Sequence, residues 1–134
     1  MSNEIISTNT APAAIGPYSQ AQKAKGFLFC SGQIPLNPTT NQIVAGDIKV
    51  QAEQSCKNLL AVLKAAGYDA TDVLKTTCFL TNIEDFAAFN EVYAKYFGEA
   101  APARSCVEVS HLPKNVLCEI ELVAWRDPET IAWF

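Results

Sequence analysis

Residues 47–67 read DIKVQAEQSCKNLLAVLKAAG, and both ends of this stretch carry helix-boundary signals. Asp47 is a residue type that caps helix N-termini, and Gly67 is typical of the position just past a helix C-terminus. Four apolar residues between them follow the spacing i, i+3, i+4 and i+7 of one helical face: Cys56, Leu59, Leu60 and Leu63. The pattern predicts a helix that ends near residue 66 and turns this face toward a core.

The stretch that follows predicts a strand and then a second helix. Residues 73–81 are rich in β-branched and apolar side chains, which is typical of a strand. Asn82, with Asp85 three residues later, resembles a capping arrangement, and Gly98 marks a helix end. Aromatic side chains form one stripe of this helix: Phe86, Phe89, Tyr93 and Phe97.

Strands are predicted on both sides of this central unit. Residues 26–30 form a short apolar run typical of a buried strand, whereas the first 23 residues are expected to be loop because prolines interrupt them. Residues 104–110 and 116–125 alternate in polarity around a turn and predict a hairpin. This order predicts an α+β fold with two helices covering one face of a mixed sheet. The other face would need a partner, so we expect an oligomer.

Composition narrows the functional classes. The 134 residues suit a single domain, and no apolar run approaches the roughly 18 residues of a membrane span. The N-terminus shows no export or transit signal, which favours a cytoplasmic protein. Ten Lys and Arg against fourteen Asp and Glu, without a basic cluster, weigh against nucleic acid as a partner. Five scattered cysteines and one histidine predict reduced, buried thiols and no metal site.

The predicted hairpin would bring a cation and a carboxylate together. With a turn near residues 112–113, Arg104 and Glu119 become diagonal neighbours on one face, on the order of 7 Å apart. The pair is open to two interpretations. It is either a structural ion pair or a site in which Arg104 binds a substrate carboxylate while Glu119 handles a proton or water.

Five short motifs occur in order along most of the chain. They are IGPYSQ at residues 15–20, SGQIP at 31–35, AAG at 65–67, PARSCVEV at 102–109 and LPK at 112–114. Together they resemble the RidA/YjgF family, also called endoribonuclease L-PSP or translation initiation inhibitor. The resemblance spans about residues 11–126, which suggests one domain over residues 1–126 and a short C-terminal extension at 127–134.

The resemblance implies a fold and an activity. Members are similar in having a chorismate-mutase-like α+β fold and in forming homotrimers with ligand sites between subunits. The RidA branch acts as a 2-iminobutanoate/2-iminopropanoate deaminase. It hydrolyses reactive imines and their enamine tautomers, released by pyridoxal-phosphate-dependent dehydratases, to 2-keto acids and ammonia. No cofactor is implied for this chain.

The resemblance also implies roles for particular residues. Arg104 would bind the substrate carboxylate, and Glu119 would position the attacking water and move its proton. The residues implied for substrate binding are Tyr18, Ser31, Gly32, Asn90 and Cys106. Two other functions stay open at this point. They are an RNA-cleaving inhibitor of translation and a non-enzymatic, chaperone-like trimer that binds small metabolites.

Overall fold

The computed structural model describes residues 3–128, which form one six-stranded mixed sheet and two α-helices. Most of the predicted C-terminal extension lies outside these residues. The strands are β1 Glu4–Ile6, β2 Ala21–Ala24, β3 Phe27–Gln33, β4 Val73–Leu80, β5 Ala103–Glu108 and β6 Cys118–Trp125. The helices are α1 Ile48–Ala66 and α2 Phe86–Phe97. Neither of these two helices is long and apolar enough to cross a bilayer.

The boundary signals of α1 are confirmed. The Asp47 carboxylate accepts a hydrogen bond from the backbone N–H of Val50 at 3.1 Å. Gly67 takes a left-handed conformation with φ of 87°, and its N–H donates to the carbonyls of Leu63 and Lys64. An L-residue with a Cβ adopts this conformation at a cost, so glycine suits the end of α1.

Asn82 caps a short turn that precedes α2, and it does not cap α2 itself as predicted. Its side chain accepts from the N–H of Glu84 and starts a short 3-10 turn, Ile83–Asp85, and α2 begins only at Phe86. The aromatic stripe then continues to Phe97, and Gly98 follows the last helical residue.

Both helices pack on the same face of the sheet, as predicted. Phe89 and Phe97 from α2 and Leu59 from α1 are fully buried against Leu80 and Ile120 of the central strands. Burial of this apolar surface is the main driving force for folding.

Four of the five cysteines are buried as predicted, whereas Cys106 is half-buried. All five are free, and Cys30, Cys56, Cys78 and Cys118 are buried. Burial raises the pKa of the Cys30 and Cys118 thiols to about 12, so these side chains stay neutral and pack as small hydrophobes.

The prediction that the first 23 residues are loop is wrong in two places. β1 and β2 pair in antiparallel register at one edge of the sheet, with Glu4 opposite Lys23. Ile6 turns inward and is buried. Strands this short carry too few residues to show an alternating pattern, and pairing with a preformed sheet stabilises them.

The predicted hairpin is also wrong. Both strands exist, but they are not neighbours, because β4 lies between β5 and β6 in the strand order β1-β2-β3-β6-β4-β5. β5 pairs with β4 in parallel, and β6 pairs with both β4 and β3 in antiparallel orientation. α2 makes the crossover connection that a parallel pair requires.

This pairing separates the two charged residues that the hairpin would have joined. Arg104 lies opposite Thr76 on β4, whereas Glu119 lies opposite Phe79. Since side chains three positions apart on one strand point to opposite faces, Arg104 lies on the helix-covered face and Glu119 on the other. The expected diagonal contact is therefore absent within one chain.

The face that carries Glu119 is not covered by a helix, and we call it the open face. Large apolar side chains on it are 40–51% exposed, namely Phe27, Phe29, Val107 and Trp125. An apolar sheet face of this kind is typical of an interaction surface.

Candidate functional site

Arg104 extends from the edge strand β5 and is held by α2. Its Nη1 donates a hydrogen bond of 2.6 Å to Oδ1 of Asn90. The guanidinium carbon lies 4.7 Å from the centre of the Tyr93 ring and 5.3 Å from that of Phe86. These distances are within the range of cation–π attraction.

Arg104 has no carboxylate partner among residues 3–128, where the ion pairs of the structure involve other cations. The interpretation as a structural ion pair with Glu119 is therefore wrong within the chain. A half-buried guanidinium without a counter-charge is suited to bind an anion, and its planar fork matches a carboxylate.

Cys106 lies two residues along β5 from Arg104, opposite Cys78 of β4. Burial raises the pKa of the Cys106 thiol, and the nearby charge of Arg104 only partly offsets this effect. Cys106 is therefore a neutral, half-buried side chain beside Arg104, and this environment does not activate it as a nucleophile.

Glu119 is half-buried on the open face. Burial, and secondarily the negative charge of Glu121, raises the pKa of the Glu119 carboxyl above its usual value. A carboxylate of this kind is a better base than an ordinary glutamate, because its proton affinity is closer to that of the groups it must exchange protons with.

Gly32 packs directly against the Glu119 carboxylate. A Cβ at Gly32 would overlap Oε2 of Glu119 and lie 2.9 Å from its Cδ. The backbone of Gly32 is not left-handed, so it is the close approach of Glu119 that favours glycine here.

Tyr18 and Ser31 lie near Gly32 at the end of β3. Tyr18 and Gly32 line a cavity of about 340 Å³ together with Ile15, Pro113 and Lys114. The Ser31 hydroxyl donates to the carbonyl of Ser19 at 2.6 Å, which fixes the loop that carries Tyr18. Tyr18 itself is 56% exposed, so its ring is available to a ligand.

The predicted site residues thus form two groups. Arg104, Asn90 and Cys106 lie together on the helix-covered side, at β5 and α2. The second group lies on the other side of the sheet: Tyr18, Ser31, Gly32 and Glu119. The structure brings the members of each group together but does not bring the two groups together in one chain.

The sequence patterns indicate no functional role for several neighbours of these residues. The aromatic stripe of α2 predicts that Phe86 and Tyr93 face the core, yet both rings contact Arg104. Together with Asn90 they occupy positions i, i+4 and i+7 of α2, and this spacing alone places them on one face. Lys114 belongs to the LPK motif at residues 112–114 and lines the cavity near Tyr18. Its backbone is left-handed, with φ of 58°.

A protein-family model and individual relatives both match most of the chain. The family model described as Endoribonuclease L-PSP matches residues 8–126. A RutC family protein of Pyrococcus horikoshii is 57% identical over 124 residues, which cover 92% of this chain and 98% of the relative.

Solved structures agree in fold. Yeast Mmf1 is 42% identical, with a TM-score of 0.90 and coverage of 93% of this chain and 99% of that chain. E. coli TdcF, solved with bound serine, is 47% identical, with a TM-score of 0.87 and coverage of 92% and 98%. The YjgF gene product of E. coli is 46% identical, with the same TM-score and coverage.

The contact between Gly32 and Glu119 leads to a first prediction. Gly32→Ala should lower the free energy of unfolding by about 1–3 kcal/mol, because the added methyl group overlaps the carboxylate. In a Glu119→Ala background the same change should cost much less, since the overlapping atoms are gone. Chemical denaturation of the four proteins at one protein concentration measures this coupling. An equal cost in both backgrounds would contradict the contact.

The raised pKa of Glu119 leads to a second prediction. The folded protein holds the Glu119 proton more tightly than the unfolded chain does, so ionisation at neutral pH disfavours the folded state. Glu119→Gln should therefore be more stable than the wild type at pH 7. The gain should shrink as the pH falls and vanish below about 4, as the carboxyl becomes protonated in the unfolded as well as the folded state.

Thermal or denaturant unfolding across this pH range tests that prediction. Glu121→Gln is the matched control, because it removes the neighbouring charge while keeping the Glu119 carboxyl, and it should give a smaller gain. A Glu119→Gln protein that is less stable than the wild type at pH 7 would show that the ionised carboxylate is stabilised by the fold.

Proposed function

Because the chain belongs to the endoribonuclease L-PSP family, which includes the YjgF proteins, we propose that it hydrolyses small 2-imino acids and their 2-enamino tautomers to 2-keto acids and ammonia. The observation that carries this proposal is Arg104, a guanidinium held by Asn90 and two aromatic rings without a carboxylate partner in the described chain. The bound serine of the TdcF structure supports a small ligand with an α-carboxylate.

In this reaction Arg104 binds the substrate carboxylate. Two N–H groups on one edge of a guanidinium donate in parallel to two carboxylate oxygens, which fixes the orientation of the ligand as well as its position. The carbon of the C=N bond is attached directly to this carboxylate, so fixing the carboxylate also fixes the electrophilic carbon.

Glu119 handles the proton of the attacking water. Water adds to the C=N carbon of the protonated imine, Glu119 accepts a proton from the water, and the nitrogen takes up the electron pair of the broken π bond. Glu119 then returns this proton to the nitrogen of the neutral carbinolamine. The C–N bond breaks with its electron pair leaving on ammonia, the hydroxyl releases its proton to Glu119 as the C=O bond forms, and Glu119 passes that proton to the departing ammonia. The raised pKa of Glu119 suits both transfers, since the group must accept a proton and then release it.

One substrate meets both residues only if two copies of the chain form the site. Arg104 and Glu119 lie on opposite faces of the sheet, so Arg104 of one copy would act with Glu119 of the next. Two different surfaces then meet at each interface, and such head-to-tail contacts form a ring when the rotation between neighbouring copies closes on itself. A homotrimer is the ring that we propose, with the apolar open face contributing to its interfaces.

A second candidate function is binding without turnover. The serine in TdcF is a ligand that undergoes no imine hydrolysis, so a trimer that only binds small carboxylates is consistent with the same Arg104 environment. RNA cleavage, which the family description names, is less well supported, because a net charge of −4 gives little attraction to phosphate.

The proposed activity predicts that the protein accelerates keto-acid release from freshly generated 2-iminobutanoate and 2-iminopropanoate. Arg104→Ala should lower kcat/KM by about 100-fold, because a bidentate charged contact is lost. Arg104→Lys should restore little of it, since an ammonium lacks the fork. Arg126→Ala is the matched control, because Arg126 pairs with Asp69 and Asp72 away from both groups.

Release at the spontaneous rate by the wild-type protein would contradict the deaminase function. Serine or 2-ketobutyrate binding that depends on Arg104 would then favour the binding protein.

The shared site makes a separate prediction. Arg104→Ala and Glu119→Gln chains, co-expressed with different tags and purified on both, should recover about one third of wild-type activity. One interface in three of a mixed trimer pairs an intact Arg104 with an intact Glu119. Each variant expressed alone is the control and should be nearly inactive. Mixed assemblies no more active than their parents would show that the site does not combine residues of two chains.

A further inference from the structure

The guanidinium of Arg104 is supported from α2 by two aromatic rings and at one nitrogen. Tyr93 and Phe86 provide the ring faces, and Asn90 accepts from Nη1. Since the three residues occupy one stripe of α2, a rigid helix presents them together.

Tyr93 is the most constrained of the three. Its hydroxyl shares a hydrogen bond of 2.7 Å with Oγ1 of Thr76, and Thr76 is fully buried. Its ring also packs between those of Phe89 and Phe97, at centroid distances of 6.0 and 5.1 Å. Tyr93 is thus held at both its ring and its hydroxyl.

Thr76 connects this arrangement to the strand that carries Arg104. In the parallel pair of β4 and β5, Thr76 lies directly opposite Arg104. The hydroxyl bond therefore ties the supporting ring to the neighbouring position of the sheet. Thr76 thus fixes the position of the Tyr93 ring relative to the backbone of Arg104.

The support leaves one edge of the guanidinium unused. Nη1 is bound to Asn90, whereas Nε and Nη2 have no acceptor among residues 3–128. These two nitrogens carry the parallel N–H groups of the side-on fork, which is the edge that matches a carboxylate.

We infer that Tyr93 is a positioning residue for the substrate carboxylate. Its ring holds the guanidinium of Arg104 in one plane, and its bond to Thr76 fixes the ring, so that the Nε–Nη2 edge faces the ligand before binding. Tyr93 acts through Arg104 and does not touch the substrate. This inference rests on the proposed role of Arg104 as the carboxylate-binding group.

A free arginine side chain loses rotamer freedom when it binds a ligand, and a positioned one has already lost it. Removing the support should therefore weaken ground-state and transition-state binding alike, which raises KM and changes kcat little.

Two variants distinguish the contribution of the Tyr93 ring from that of its hydrogen bond to Thr76. Tyr93→Leu removes the ring face and should raise KM about 10-fold, the upper part of the range for a cation–π contact, with kcat within about threefold. Tyr93→Phe/Thr76→Val keeps the ring and removes both buried hydroxyls together, which leaves no unpaired polar group. Its KM should lie between those of the wild type and Tyr93→Leu.

Phe86→Leu guards against a Tyr93→Leu protein that does not fold, because Phe86 is only half-buried. It should raise KM in the same direction but by a smaller factor. Folded Tyr93→Leu with wild-type KM would overturn the inference. If Tyr93→Leu does not fold, wild-type KM in both Phe86→Leu and Tyr93→Phe/Thr76→Val would overturn it instead.

Two further measurements do not depend on turnover. The Nε–H resonance of Arg104 should be shifted by the Tyr93 ring current, and the shift should be lost in Tyr93→Leu and kept in Tyr93→Phe/Thr76→Val. The affinity for 2-ketobutyrate should fall in Tyr93→Leu by the same factor as KM rises.

If the wild type shows no turnover but both effects are present, the deaminase proposal fails and the positioning role stands. An unshifted resonance in the wild type would overturn the positioning role even if the enzyme is active.

Discussion

The parallel pairing of β5 with β4 determines where the charged residues of this protein point. Because β4 and β5 run in the same direction, the chain must cross back over the sheet between them, and α2 is that connection. The register places Arg104 opposite Thr76, on the face that α2 covers. Its guanidinium consequently meets a helix surface with an amide and two aromatic rings. One strand away, the antiparallel β6 takes Glu119 to the other face.

The surroundings of Arg104 and Glu119 have opposite effects on their charged forms. The Arg104 guanidinium lies against two aromatic rings, which attract a cation without pairing it with a carboxylate. Glu119 is partly withdrawn from water and faces the charge of Glu121, so its environment opposes ionisation. Gly32 adds a close backbone contact that holds the carboxylate near the loop of Tyr18. Such uncompensated or strained groups lower stability and are typical of sites kept for function.

In the proposed function, each chain carries two incomplete halves of a site on different surfaces. In the proposed assembly the apolar open face and the edge strand β5 meet those of neighbouring copies, and the halves become complementary. A ring of head-to-tail contacts uses both surfaces of every chain, whereas a two-fold dimer would bring like surfaces together. The same interface would then bury apolar side chains that are exposed in the single chain and exclude water from the reacting groups.

Local sequence signals determined a large part of the fold and the choice of candidate site residues. Asp47 and Gly67 bound α1, the alternation of residues 104–110 and 116–125 marks two real strands, and the motifs around Tyr18, Gly32 and Arg104 identify the family. These signals are readable because caps, turns and alternation depend on residues a few positions apart.

Only the tertiary structure decided which strands are neighbours and what surrounds each charge. Alternation specifies which side chains of one strand share a face, but it does not specify the adjacent strand, so β5 and β6 looked like a hairpin although β4 lies between them. Contacts such as Tyr93 with Arg104 and Thr76, or Gly32 with Glu119, join residues from different elements. They are set by the packing of α2 on the sheet and by the pairing of β6 between β3 and β4, which no local pattern encodes.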